Sequence, residues 1–488
     1  MALRVLSVAS EAVPLVKTGG LADVAGALPG ALAPHGVELT TLIPGYPAVM
    51  GAVKHAGKPL RVLHRYTDLL GQPARLVAGK LGASPLIILD APGFFARGAG
   101  IYGDADGKDW PDNWQRFAAL GRAAADLAGG LVPARAYDVL HAHDWQAAMA
   151  LAYQRFAPLP GSKPLPTVMT IHNMAFQGYF AREHFKALGL PAAAWSMTGV
   201  EYHGGIGFLK AGMEAASVIT TVSPTYAREI RSAEFGMGLE GLVISRGDRV
   251  RGIVNGIDSA EWNPATDPHV GAHYGPENLA ARTANKRALE ALFGLEPGDG
   301  PLFVVISRLT WQKGMDVLVE ALDHLVGIGG RLALLGSGDA GIVAGLAAGA
   351  ARHPGRIGLK FGYDEALSHQ MQAGGDAILV PSRFEPCGLT QLYGLAYGCV
   401  PVVARTGGLA DTVIDANLAA LSAGAATGIQ FTGISYPALA DACRRAVALY
   451  HQPAAWQAMQ RAGMKADFSW NESGRLYADL YRELAGKA

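Results

Sequence analysis

The chain has 488 residues, half of them hydrophobic and 17% charged, and its 41 basic and 41 acidic side chains give a formal net charge of +0. That length exceeds one ordinary hydrophobic core and suits two domains of roughly 200–250 residues each. The composition excludes a disordered chain, and the charge balance argues against a nucleic-acid binder that works by neutralising phosphates.

In chain order, the apolar start soon meets Glu11 and Lys17, which reads as a first strand and not as a signal peptide. Strands are predicted at Val5–Ser10, Leu39–Pro44, Leu86–Asp90, Val139–Ala142, Thr167–Ile171 and Val218–Val222. In the second half they are predicted at Phe303–Ser307, Leu332–Gly336, Ala377–Pro381 and Val400–Ala404, with helices such as Val317–Val326 and Leu389–Tyr397 between them. Apolar strands alternating with helical segments predict α/β architecture with parallel sheets. The Asn-Gly turn at Val254–Asp258 marks a junction. The expected division is a first doubly wound, Rossmann-like domain over 1–250 and a second over 251–470. A last helix within 471–488 is expected to pack back onto the first domain. Two such domains would face each other across a deep cleft at the carboxyl ends of their strands, where folds of this class bind ligands.

The longest uncharged stretch, Ala416 to Ala440, contains Asn417, Gln430, glycines and Pro437, so no membrane partner is expected. Cys387, Cys399 and Cys443 form no CxxC pair and are odd in number. They read as reduced thiols in a cytoplasmic protein.

The hexapeptide Thr-Gly-Gly-Leu-Ala-Asp occurs twice, at Thr18–Asp23 behind Lys17 and at Thr406–Asp411 behind Arg405. Each copy follows a predicted strand and opens a predicted helix. A glycine pair lets backbone N–H groups approach an anion, and a helix N-terminus adds donors and partial positive charge. The expectation is one phosphorylated ligand gripped by both copies.

Arg308 and Lys313 directly follow the strand Phe303–Ser307. Two fixed cations there suit a leaving diphosphate, whose negative charge grows as its bond breaks. Glu385 lies between a strand ending at Pro381 and a helix beginning near Gly388. Its carboxylate suits sugar hydroxyls or the balancing of nearby cations, and the N–H groups of Gly388, Leu389 and Thr390 suit a phosphate. His141-Ala142-His143-Asp144 looks like a metal ligand set but lacks a supporting cluster, so Asp144 and His172 read as sugar-binding groups. No Gly-x-Ser-x-Gly elbow, P-loop or Gly-x-Gly-x-x-Gly opening the first helix is present. That sets aside a serine triad, an ATPase and a dinucleotide oxidoreductase.

Lys17–Val24, His141–Trp145, Ser307–Thr310 with Lys313, Pro381–Gln391 and Arg405–Asp411 together closely resemble the ADP-glucose-dependent glycogen synthases and starch synthases. The similarity runs from the first strand to Asp467–Trp470. One small departure is Gln146, where such enzymes often carry a second histidine. The resemblance implies a retaining glycosyltransferase of the two-Rossmann-domain (GT-B) type. It would move glucose from ADP-glucose to the non-reducing 4-hydroxyl of glycogen or a malto-oligosaccharide. Arg308 and Lys313 would hold the diphosphate, and Glu385, Asp144, His172 and Asn255 would surround the glucose. Lys17, with the backbone of Gly19 and Gly20 in the segment that ends at Asp23, would contact the nucleotide sugar. Tyr363 would stack on adenine, and Tyr102 would reach donor or acceptor. No metal or other cofactor is expected, because the paired cations serve the leaving group. A glucan phosphorylase would instead need pyridoxal phosphate and usually a longer chain; a non-catalytic glucan-binding module would lack the paired cations.

Overall fold

The computed structural model describes residues 2–54 and 60–487. The chain divides into two compact units. One comprises 1–222, 227–256 and 470–488; the other comprises 223–226 and 257–469.

The first unit is built on a nine-stranded sheet, counted among the described residues. Its spatial order is Val250–Gly252, Val218–Thr221, Thr167–Ile171, Val139–His143, Leu3–Val8, Val37–Pro44, Ser84–Asp90, Gln72–Leu81 and Arg61–Leu69. The first seven are parallel, and the last two add antiparallel ladders. Strands near the centre, such as Val139–His143 and Thr167–Ile171, are buried at every position, as expected where helices cover both faces. Arg61–Leu69 instead exposes much of its length, as an edge strand does.

The helix Trp470–Leu484 belongs to this unit and lies against the first helix, Gly20–Leu32. Gly474 permits the close approach, because a Cβ there would stand 2.5 Å from the carbonyl oxygen of Ala31. Tyr477 and Tyr481 join Leu28 and Leu32 in one buried cluster.

The second unit contains a fully parallel six-stranded sheet among the described residues. Its order is Ile357–Phe361, Arg331–Gly338, Leu302–Leu309, Ala377–Val380, Val400–Ala404 and Ile429–Phe431. Phe303, Val305, Leu332, Leu334, Leu379 and Val402 are among the strand side chains that form its core, facing Leu318, Leu322 and Leu325 of the helix Met315–Gly327. This order places the carboxyl ends of Leu302–Leu309 and Ala377–Val380 side by side, which brings the two polar loops after them together.

Candidate active site

In the second unit, Arg308 stands exposed near the end of its strand, and the next short turn, Trp311–Lys313, presents Lys313. Lys313 Nζ donates to Glu385 Oε2 at 2.5 Å, and Ser382 Oγ donates to the same oxygen at 2.8 Å. The pair is largely withdrawn from water, which strengthens its attraction relative to a surface pair. Among the described residues no carboxylate pairs with Arg308, so its guanidinium stays available to an anion.

Arg383 holds the two loops in register. It forks onto Asp316 at 2.7 Å through both nitrogens, donates to the Trp311 carbonyl at 2.6 Å and lies over the Trp311 ring. Hydrogen bonds from that guanidinium hold the Asp316 carboxyl below its ordinary range. Arg383 and Ser382 escaped the sequence reading, because their roles are to position Lys313 and Glu385. Gly388, Leu389 and Thr390 enter the helix Thr390–Tyr397, whose first N–H groups have no acceptor within their own helix. Tyr363 is 73% exposed, and its hydroxyl donates to Glu365 at 2.9 Å.

In the first unit, the loop before the helix Gly20–Leu32 is organised by Glu11. Its carboxylate accepts from the N–H and hydroxyl of Thr18 and from the Tyr102 hydroxyl, the last at 2.9 Å. Burial pushes the Glu11 carboxyl up, against the hydrogen bonds from Thr18, Tyr102 and the Gly19 N–H. The Gly19 N–H is therefore turned towards Glu11, whereas Gly20 begins the helix and has no intrahelical acceptor. The Tyr102 hydroxyl also bonds Ser10 at 2.7 Å, so this group braces the loop. Lys17 pairs with Asp23 at 2.8 Å on the partly exposed surface.

Three buried histidines stand on or directly after the paired strands Val139–His143 and Thr167–Ile171. His141 bonds Tyr481 at 2.7 Å and Thr170 at 2.6 Å; His143 bonds Ser7 at 3.1 Å and His172 at 3.0 Å. Burial lowers the pKa of all three, His143 to about 3, so they are neutral. Both nitrogens of His141 and of His143 are taken by protein groups, which removes the metal-like reading of His-x-His-Asp. Asp144 opens the next helix with φ +53°, a conformation unusual for a residue other than glycine. Its carboxylate accepts the His172 N–H at 2.6 Å. Burial raises its pKa to about 7, against hydrogen bonds from the His172 and Asn173 backbone. Asn255 is 5% exposed, and among the described residues its buried Oδ1 has no hydrogen-bond partner. Such a group waits for a donor.

The second hexapeptide corrects the expectation of a shared anion grip. Gly408 N–H donates to the carbonyls of Glu385 and Pro386 at 3.1 and 3.2 Å, so it is spent on the Glu385 loop. Asp411 accepts the N–H and hydroxyl of Thr225 at 2.7 and 2.6 Å, and Ser223 Oγ donates to the Pro386 carbonyl at 2.7 Å. This copy supports the loop that carries Glu385.

Comparisons with known proteins give the family. A family model described as "Starch synthase catalytic domain" matches residues 4–245, and one described as "Glycosyl transferases group 1" matches residues 292–459. A glycogen synthase of Novosphingobium aromaticivorans is 71% identical over 99% of both chains. The chain belongs to the glycogen and starch synthase family. It is a glycosyltransferase with the two-domain GT-B fold. A glycogen synthase of Mesorhizobium japonicum is 57% identical, again over 99% of both chains. Among solved structures, the catalytic domain of starch synthase IV from Arabidopsis thaliana, bound to ADP and acarbose, aligns over 100% of both chains with a TM-score of 0.88 and 30% identity.

Proposed function

We propose that the chain transfers glucose from ADP-glucose to the non-reducing 4-hydroxyl of glycogen or a malto-oligosaccharide, with retention of configuration. The observation that carries this reading is the Lys313–Glu385 pair at 2.5 Å, on the turn after a strand whose Arg308 guanidinium has no carboxylate partner among the described residues, in a chain 71% identical to a glycogen synthase. ADP and acarbose in the related starch synthase support the donor and acceptor classes.

On this reading Arg308 and Lys313 bind the diphosphate and stabilise the charge that grows on it as the bond to glucose C1 breaks. Glu385 holds Lys313 in place before the donor arrives. The first N–H groups of the helix behind Gly388, Leu389 and Thr390 add donors. The acceptor oxygen forms the new bond to C1, and its proton passes to the departing phosphate oxygen on the same face. His172, Asp144 and Asn255 serve the transferred glucose, with the Asn255 Oδ1 taking a sugar hydroxyl. Lys17 and the Gly20 N–H serve the nucleotide sugar, and exposed Tyr363 offers its ring to adenine. The cations for this chemistry come from side chains, so the reaction proceeds after EDTA treatment. Among the described residues no helix is long and apolar enough to cross a membrane, and the reading extends to a cytoplasmic reaction.

Glucosyl incorporation into glycogen, measured with ADP-glucose and with UDP-glucose, tests the assignment. ADP-glucose should be the better donor. Arg308→Ala and Lys313→Ala should each lower turnover more than tenfold with the fold intact, as expected for a charge-assisted contact of about 1.5–3 kcal/mol. Turnover near that of the unaltered chain in both variants would remove the leaving-group roles.

A further inference from the structure

The second unit brings together three further ligand-type side chains, Glu261, Glu365 and His369. One carboxylate oxygen of each glutamate and one ring nitrogen of His369 all lie within 4.8 Å of one another. Glu365 and His369 are four residues apart on the helix Glu365–Gly374 and therefore share a face. Glu261 arrives from the polar loop after the junction, where its neighbour Trp262 stacks on the His369 ring at 3.7 Å and 12°. The two glutamates are exposed, whereas His369 is only 2% exposed.

The imidazole is held in one orientation. Its Nδ1 lies 2.7 Å from Asp267 Oδ2, an oxygen that also accepts from the Tyr397 hydroxyl. The other Asp267 oxygen accepts the His269 N–H at 2.8 Å. An ionised carboxylate only accepts, so Nδ1 carries the hydrogen and donates it, leaving Nε2 with its lone pair. No hydrogen bond to Nε2 is seen among the described residues, although the ring is buried. A carboxylate behind one imidazole nitrogen, with the other left without a hydrogen bond, is the arrangement that orients histidine towards a metal. The Tyr363 hydroxyl bonds one oxygen of Glu365, which leaves that carboxylate further lone pairs.

We propose that Glu261, Glu365 and His369 bind one divalent transition-metal ion of the zinc type, through Nε2 and two carboxylate oxygens, with a remaining position open to solvent. A nitrogen with two oxygens favours zinc, cobalt or nickel over magnesium or calcium, which prefer sets of oxygens alone. Ligand distances of about 2.0–2.2 Å require the three groups to draw inwards from their present spacing. Arg308 and Lys313 are not members of this cluster, so the ion is separate from the cations assigned to the leaving group.

The test uses the full chain stripped with EDTA and desalted. Cobalt(II) is titrated while visible absorption is followed, and zinc is titrated by calorimetry. The unaltered chain should bind one equivalent, and Glu261→Gln and Glu365→Gln should each weaken binding at least tenfold. Both sites are exposed, so the variants should keep the unfolding curve of the unaltered chain. Absence of stoichiometric binding would overturn the proposal. Equal affinity in all three proteins would also overturn it, by placing the ion on other side chains.

Discussion

Around Gly19 and Gly20, apart from the adjoining backbone, no heavy atom of the described residues lies within 4 Å of where a Cβ would stand, whereas at Gly407 and Gly408 that atom would meet the carbonyl oxygens of Glu385 and Cys387 at 2.0 and 2.1 Å. The surrounding hexapeptides are identical, and both lead from a strand into a helix. They differ in what faces them. In the first, the glycines leave open space beside a helix N-terminus, and Glu11 braces the loop behind it. In the second, the same residues let two stretches of backbone touch, with Gly407 at φ +44°. Local sequence specifies a turn able to admit a close neighbour. Whether that neighbour is a ligand or the chain itself is a tertiary matter.

A methyl group placed on each copy should have the largest and most divergent effects. Gly408→Ala should cost about 3 kcal/mol or prevent folding, since rigid backbone occupies the space. Gly20→Ala should change stability by no more than about 0.5 kcal/mol and instead raise KM for the nucleotide sugar. Denaturant unfolding and initial-rate kinetics read both effects, and equal tolerance at the two sites would end the distinction.

The terminal aspartates of the two copies also differ in their partners. Asp411→Ala removes the acceptor of two Thr225 hydrogen bonds and should cost about 2 kcal/mol. Asp23→Ala removes a partly exposed ion pair and should cost less than about 1 kcal/mol. Unfolding midpoints of the two variants should therefore separate, and their coincidence would count against a structural second copy.

Acid–base behaviour separates the neighbourhoods too. Near the first copy, Asp144 keeps its proton to about pH 7 in the folded chain but only to its ordinary 3.8 when unfolded. Its contribution to stability is thus lost as pH rises between those values. The buried histidines act with the opposite sign, because the unfolded chain binds their protons more readily below pH 6.5. In Asp144→Asn the histidine effect should be opposed only by the buried Glu11 carboxyl, which acts in the direction of Asp144. Relative to the unaltered chain, the variant should gain about 1.4 kcal/mol between pH 5 and pH 6. Urea unfolding at several pH values checks this, and parallel curves would mean that Asp144 is ionised in the folded state throughout.

The smallest expected contrast concerns the preceding cations. Lys17→Ala should lower kcat/KM for ADP-glucose about fivefold, the scale of an exposed charged contact of about 1 kcal/mol. Arg405→Ala should change it by less than about twofold. A larger loss at Arg405 would restore a ligand-binding role to the second copy.

Much of the architecture was readable beforehand because buried parallel strands leave apolar runs. Thr167–Ile171 and Val400–Ala404 have the predicted bounds, and the predicted helix Val317–Val326 lies within Met315–Gly327. The antiparallel pair Arg61–Leu69 and Gln72–Leu81 was not predicted. One is largely solvated, and their polar residues interrupt the apolar signal. At the candidate site, Arg308, Lys313 and Glu385 were visible as residue types beside strand ends. The Lys313–Glu385 contact, across 72 residues, was not.

The order of residues by itself determined the alternation of strands and helices, the two polar loops after the strands and the chemical types available there. Hydrophobic periodicity and turn chemistry are local properties, so they survive without knowledge of the fold. Only the tertiary structure decided that Lys313 meets Glu385, that Arg383 holds their loops in register and that burial raises Asp144 and keeps three histidines neutral. Partner distance and loss of water depend on segments far apart in sequence. For that reason, two identical hexapeptides acquired different surroundings.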